Sequence, residues 1–147
     1  MPIYKCPKCG RVVELPEGSY YCKFCGPSVL MVVAPAENVW REAERFLRKH
    51  GYTISKDKFT EFFPSWILIV ERYLDKGKFR EAVAFIIHEA VECEELKRVV
   101  GYWIYPRDYD LQCLRLKDVW EFKKCMDKHV EAHDKAEEME KLYLSTA

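Results

Sequence analysis

What most constrains the fold of this chain is a pair of cysteine knuckles near its start, Cys6-Pro7-Lys8-Cys9-Gly10 and Cys22-Lys23-Phe24-Cys25-Gly26, with twelve residues between them. Two Cys-x2-Cys pairs supply the four thiolates of a tetrahedral metal site. The two-residue gap lets both sulfurs of a knuckle face one ion. The glycine after each second cysteine allows the positive φ of a tight turn. The spacing therefore predicts a small metal-held module with Cys6, Cys9, Cys22 and Cys25 as ligands. Thiolates bound to metal suit a reducing compartment, which points to a cytoplasmic protein.

The module uses a fraction of the 147 residues, and 49% of the chain is hydrophobic, enough for a separate core. Lys plus Arg and Asp plus Glu balance at 24 each, so no global field draws in nucleic acid or a membrane surface. No apolar run approaches the roughly 18 residues of a membrane span. The start, Met1-Pro2-Ile3-Tyr4-Lys5-Cys6, has no signal-peptide pattern. Asn38 and Gln112 are the chain's sole amides beside abundant Lys, Glu and Arg, a composition common in thermophile proteins.

The fold class expected is α+β: a β module over residues 1–33, then an α-helical domain of three to four helices over 34–147. Val12–Leu15 and Ser19–Tyr21 flank the turn Pro16-Glu17-Gly18, and Ser28–Val33 reads as a further strand. Ala34-Pro35-Ala36 marks the boundary. Helices are expected over 36–50, about 64–75, 78–100 and, long or broken, 107–144; Gly51, Gly77 and Gly101 punctuate their ends. His50, before Gly51, reads as a cation near a helix C-terminus.

A second constellation lies in the last two helices. His88 and Glu92 stand one helical turn apart, in a stripe continued by Glu81 and Glu95; His129 and His133 are likewise one turn apart, beside Phe122, Cys125, Met126, Ala132 and Ala136. Two i, i+4 pairs on neighbouring helices can hold a second divalent metal through His88, Glu92, His129 and His133, and mixed imidazole and carboxylate suits zinc, iron or manganese. If that site is catalytic, hydrolysis is the expected chemistry, with Glu92 or Glu89 as general base. The competing interpretation makes the His88 stripe a solvent face and the other histidines half-buried residues bonded to carboxylates.

Other patterns say less. In His129-Val130-Glu131-Ala132-His133 the glutamate sits one place later than in the His-Glu-x-x-His of zinc proteases. His133-Asp134 matches the dyad of metal-dependent phosphohydrolases, with His88-Glu89 as a degenerate first ligand. Cys93, Cys113 and Cys125 lack Cys-x-x-Cys spacing and read as buried, inert thiols, with a redox or ligand role for Cys125 as the sharper alternative.

Through its two knuckles, residues 4–26 resemble the zinc-ribbon and rubredoxin-like families. That resemblance implies a structural zinc, or an electron-transfer iron, on Cys6, Cys9, Cys22 and Cys25. The order of parts is also similar to that of rubrerythrins, which join such a module to a di-iron four-helix bundle that reduces peroxide. The helical part departs from their paired Glu-x-x-His motifs, since Phe85, Met126 and Val130 stand three residues before His88, His129 and His133. Three functions follow as expectations: a two-site metal protein, a non-catalytic adaptor, and an iron redox protein. The adaptor would dock protein or nucleic acid through the ribbon, using Lys5, Lys8, Arg11 and Lys23 and stacking Tyr4, Tyr20, Tyr21 and Phe24 on unpaired bases.

Overall fold

A computed structural model describes residues 3–146 of the chain; the expected unit limits at Met1 and Ala147, and the Met1-Pro2 start, lie outside these. The architecture is α+β, with a three-stranded antiparallel sheet at the N-terminal end followed by six helices among the described residues. The strands are β1 (Ile3–Lys5), β2 (Val12–Glu14) and β3 (Val32–Val33), in the order β2-β1-β3. Tyr4 pairs with Val13 on one side and Val33 on the other. Sequence periodicity missed β1, which is three residues long and runs straight into the first knuckle. The expected strand at 19–21 shrinks to one bridge, Tyr21 to Leu30, and only the end of 28–33 is strand.

The helices are α1 (Pro35–Lys49), α2 (Lys56–Phe62), α3 (Trp66–Asp75), α4 (Phe79–Val100), α5 (Pro106–Leu114) and α6 (Val119–Ser145). Pro35 and Pro106 occupy the first turns of α1 and α5, where a missing N–H costs no hydrogen bond. Two helices exceed the three to four expected. The polar stretch after Ile54 becomes α2, because Ser55 accepts a hydrogen bond from Lys58 N–H and Phe59 is fully buried. The 107–144 segment takes its broken form, since Asp118 caps a new helix by accepting from the N–H groups of Trp120 and Glu121. Among the described residues, no helix is long and apolar enough to cross a membrane.

Helix α4 is the central element. Ala82, Val83, Ile86, Ile87, Ala90, Val91, Cys93 and Leu96 on it are fully buried, and its small residues let neighbours approach closely. It packs against α1, α3 and α6. Trp40, Phe59 and Trp66 fill the core from the other side, with ring centroids 5.4–6.0 Å apart. Helix α6 runs antiparallel to α4. Arg80 reaches Tyr143, His88 faces Glu140 and Glu92 faces His129, so rising numbers on one helix meet falling numbers on the other. A second core cluster joins Leu96, Ile104, Tyr109, Cys113 and Ala132, with Phe122 and Met126 packed against it.

The small N-terminal sheet is seated on the helices. Ile3 belongs to the main core cluster, and Ala34 N–H donates to the Ile3 carbonyl at 2.7 Å. Lys5 Nζ pairs with Glu71 Oε2 on α3 at 2.6 Å.

Candidate metal centres

The two knuckles are built alike. In the first, Gly10 N–H donates to the Cys6 carbonyl and Cys9 N–H to Cys6 Sγ; in the second, Gly26 N–H donates to the Cys22 carbonyl. Gly10 and Gly26 adopt φ of 77° and 96°, the left-handed turn their sequence positions required. The four sulfurs lie within 4.8 Å of one another. Across the knuckles, Cys6 Sγ is 3.8 Å from Cys25 Sγ, and Cys9 Sγ is 3.7 Å from Cys22 Sγ. A metal–sulfur bond of about 2.3 Å gives tetrahedral edges of about 3.8 Å, so the donor set fits a four-coordinate ion. Electrostatics point the same way. The backbone N–H and guanidinium of Arg11 bring the Cys9 thiol down to about 6. Burial, with three neighbouring sulfurs, pushes the Cys25 thiol up to about 12. Four thiols this close cannot all ionise without a cation among them.

The aromatics around this site are mostly engaged. Tyr4 is buried and its hydroxyl accepts from Gly18 N–H; Tyr20 sits edge-on to Tyr4 and donates to the Pro16 carbonyl. The Arg11 guanidinium lies 4.0 Å over the Phe24 ring. Only Tyr21, 61% exposed, keeps a free ring among the four proposed stackers. Beside it, an open groove of about 370 Å³ is lined by Val12, Val13, Leu15, Met31, Arg11 and Lys23.

The second constellation centres on Glu92, a carboxylate only 7% exposed. His129 Nε2 lies 2.7 Å from Glu92 Oε1, and His88 Nε2 and His133 Nδ1 each lie 3.1 Å from Glu92 Oε2. The far nitrogen of every ring faces a carboxylate of its own. His88 Nδ1 is 3.2 Å from Glu140, His129 Nδ1 is 2.6 Å from Asp110, and His133 Nε2 is 3.1 Å from Glu137. The Glu140 oxygen stands off the hydrogen-bonding direction, so the buried His88 Nδ1 is left unsatisfied. Three imidazoles thus point inward at one carboxylate, each backed by another acid. His129 and His133 are held as metal-binding histidines are, the outer nitrogen hydrogen-bonded to a carboxylate and the inner one turned to the centre; His88 has the same orientation with Glu140 only near its outer nitrogen.

The structure brings His88, Glu92 and His133 within 4.8 Å of one another. His129 is not in that trio; it reaches Glu92 from the other carboxylate oxygen. The His88 stripe is no plain solvent face, because α6 covers its middle: the His88 side chain is 14% exposed, although Glu81 at the end of the stripe is open. His133 is less core-facing than its neighbours suggest, with 45% of its side chain exposed.

Charge follows the geometry. The hydrogen bond that His88 Nε2 donates to Glu92 raises the His88 pKa above its usual value. Burial opposes a charged His129, and the bonds to Glu92 and Asp110 overcome it, so that pKa also rises. Burial alone would raise Glu92, and the three histidines reverse that and hold it near 2. Glu92 is therefore favoured as the anion near neutrality and poorly suited to accept a proton there. Glu89 differs: it lines the same cavity of about 320 Å³, and among the described residues no hydrogen bond or ion pair engages its carboxylate. Burial and the Glu92 charge push Glu89 up to about 6.

The remaining singletons resolve simply. Cys93 is fully buried and burial pushes its thiol up, as an inert core cysteine requires. Cys113 and Cys125 are not free thiols: they form a disulfide, with Cα atoms 5.6 Å apart, that staples α5 to α6. The staple lies one turn from both Asp110 and His129, and Tyr109 donates to the Cys125 carbonyl beside it. His50 caps α1 with Nδ1 2.9 Å from the Phe46 carbonyl. Asp134 and Glu131 are solvent-exposed and outside the histidine cluster. Sequence reasoning missed Asp110, Glu137 and Glu140. Of these only Glu137, one turn after His133, left a trace in the spacing. Comparison with protein-family models, curated proteins and solved structures finds no match.

Proposed function

We propose that this chain is a two-site metal protein: a ribbon unit (1–33) with a structural zinc on Cys6, Cys9, Cys22 and Cys25, and a helical unit (34–147) with a second divalent ion on His88, Glu92, His129 and His133. The observation that carries the second site is the double flanking of each imidazole, by Glu92 inside and by Glu140, Asp110 or Glu137 outside. His88, Glu92 and His133 form its nucleus, and His129, whose Nε2 meets the other oxygen of Glu92 at 2.7 Å, is proposed as the fourth donor. Hydrolysis is the chemistry this donor set serves. A divalent ion of this kind supplies Lewis acidity and draws a coordinated water toward ionisation at neutral pH. Glu89, which makes no hydrogen bond among the described residues and lies in the same cavity, is the general base rather than Glu92, whose charge is held by three histidines.

The test is elemental content of tag-free protein purified without added metal, with a visible spectrum beside it. Two equivalents per chain are expected, and His129→Ala removes one while the ribbon metal stays. One zinc in the unaltered protein would overturn the helical site. Iron with visible colour, bleached on reduction, would replace zinc with the redox alternative.

A second reading, the adaptor, is favoured by the groove beside Tyr21, where exposed apolar side chains meet Arg11 and Lys23. With three of the four aromatics engaged, protein docking fits the surface better than base stacking. We place the protein in the cytoplasm, where thiolate–metal chemistry is protected. The Cys113–Cys125 disulfide agrees with a thermophile's cytosol, in which disulfides persist, as does the amide-poor composition.

A further inference from the structure

A second compartment opens beside the histidine cluster and shares His88 and Glu89 with it. Its volume is about 380 Å³, and its walls are Tyr73, Phe85 and Leu144 on the apolar side, with Glu81, Glu89 and Glu140 among them. Among the described residues, no lysine or arginine lines either compartment. Arg80, next to Glu81, is turned away, its guanidinium 5.0 Å over the Tyr143 ring and donating to the carbonyls of Tyr143 and Thr146, and Arg72, Lys76 and Lys78 line a separate hollow that shares only Tyr73 with this one. Glu140 is shared with His88, but among the described residues Glu81 and Glu89 have no ion-pair partner.

We infer that this compartment binds an organic cation, an ammonium group carrying an apolar tail, and that such a molecule is the substrate class of the neighbouring site. The acids supply the countercharge. The Tyr73 and Phe85 rings, with centroids 6.3 Å apart at a tilt of 35°, line the compartment beside these acids and give an apolar tail its contact, with aromatic carbon near the ammonium. A phosphate ester or carboxylate bound in this compartment would lie against Glu81, Glu89 and Glu140 with no lysine or arginine among the lining residues, so its anion acceptors are confined to the histidine side. The hydrolytic reaction thus acts on an amine-bearing molecule, and the phosphohydrolase-like His133-Asp134 dyad is incidental. As a statement about substrate this rests on the metal reading above; as a statement about binding it does not.

The probes are benzyltrimethylammonium, whose nitrogen has no lone pair for a metal, and benzenesulfonate as the anion of similar size. Each is titrated into protein of measured metal content, with backbone amide shifts followed by NMR. The cation is expected to saturate with shifts at Glu81, Phe85 and Leu144, and the sulfonate to leave them unmoved. Glu81→Gln, at an exposed position, should weaken the cation about two- to fivefold with metal content and melting unchanged. Sulfonate binding at the same residues, or a cation affinity indifferent to Glu81→Gln, overturns the proposal. Cation binding in a chain with only the ribbon metal keeps the pocket and refutes its role as a substrate site. A second metal with no cation binding refutes the pocket and leaves the metal centre standing.

Discussion

Replacing Glu92 with Gln keeps the shape of the central side chain and removes its charge. In the present structure that carboxylate meets three imidazoles at 2.7, 3.1 and 3.1 Å while only 7% exposed. A hydrogen bond to a charged group exceeds a neutral one by about 1 kcal/mol. The amide also presents an N–H where one ring nitrogen expects an acceptor. His133 is 45% exposed at its side chain, so its contact is screened and counts for less. The two buried contacts, a discounted third and the mismatched donor come to about 2–4 kcal/mol, at the lower edge of what breaking a buried charge pair costs. For a chain of this length that is about 5–15 °C in melting temperature. The assay is thermal unfolding at pH 6, with the ribbon metal retained and no free metal in the buffer. Elemental content at pH 7.5 should fall by the second equivalent and no further. A melting shift under about 2 °C with both equivalents kept would show that Glu92 is not the hub of the cluster.

Three further outcomes follow from the same geometry. Cys9→Ser should remove any metal held by the four cysteines and unravel the three-stranded sheet while far-UV helicity persists, because Ile3 is the one residue of the strands in the main core cluster and the rest of it lies in or between the helices; loss of the helical signal as well would refute this. Reducing the Cys113–Cys125 bridge, which closes a separation of 12 residues, should cost about 3 kcal/mol, and Cys113→Ser should melt alike with or without a phosphine reductant; a reductant-insensitive unaltered protein would contradict it. The third concerns pH in protein lacking the second metal. Glu92, lowered from 4.5 to about 2, stabilises the fold above 4.5, and that contribution fades as pH falls toward 2. His88 and His129, raised above 6.5, stabilise fully below 6.5 and lose that contribution as pH rises through their folded values. The cluster's contribution should therefore peak between pH 4.5 and 6.5, and Glu92→Gln should flatten that peak; an unaltered pH profile in the variant would refute the assignment.

Local chemistry was legible and tertiary placement was not. The knuckles, their glycines and the helix stops at Gly51, Gly77 and Gly101 each follow from one residue's own conformational freedom, and all five glycines take positive φ. The i, i+4 pairs His88–Glu92 and His129–His133 could be read because helical spacing alone puts them on a face. That both faces converge on Glu92 depends on α4 and α6 running antiparallel, which no periodicity encodes. Asp110 is 19 residues from His129, and Glu140 lies far along the chain from His88; such partners are set by packing. Cys113 and Cys125 escaped for the same reason, since their separation becomes a bridge only once α5 folds back on α6. Helix α2 was hidden because its seven residues bury a single side chain, Phe59, too few for a period to show.

The seating of Ile3 in the helical core, with Lys5 clasped to Glu71, bears on how the two ends of the molecule cooperate. A metal module on a slack tether would search for its target independently of the rest. Here the first strand is both the spine of the ribbon and a plug in the helical interior, so the ribbon keeps a constant bearing toward the α4–α6 cleft. The four-cysteine cluster and the Glu92 cluster are therefore held at a set distance and angle, and a distortion of the knuckles would pass through β1 and Ile3 into the helical core.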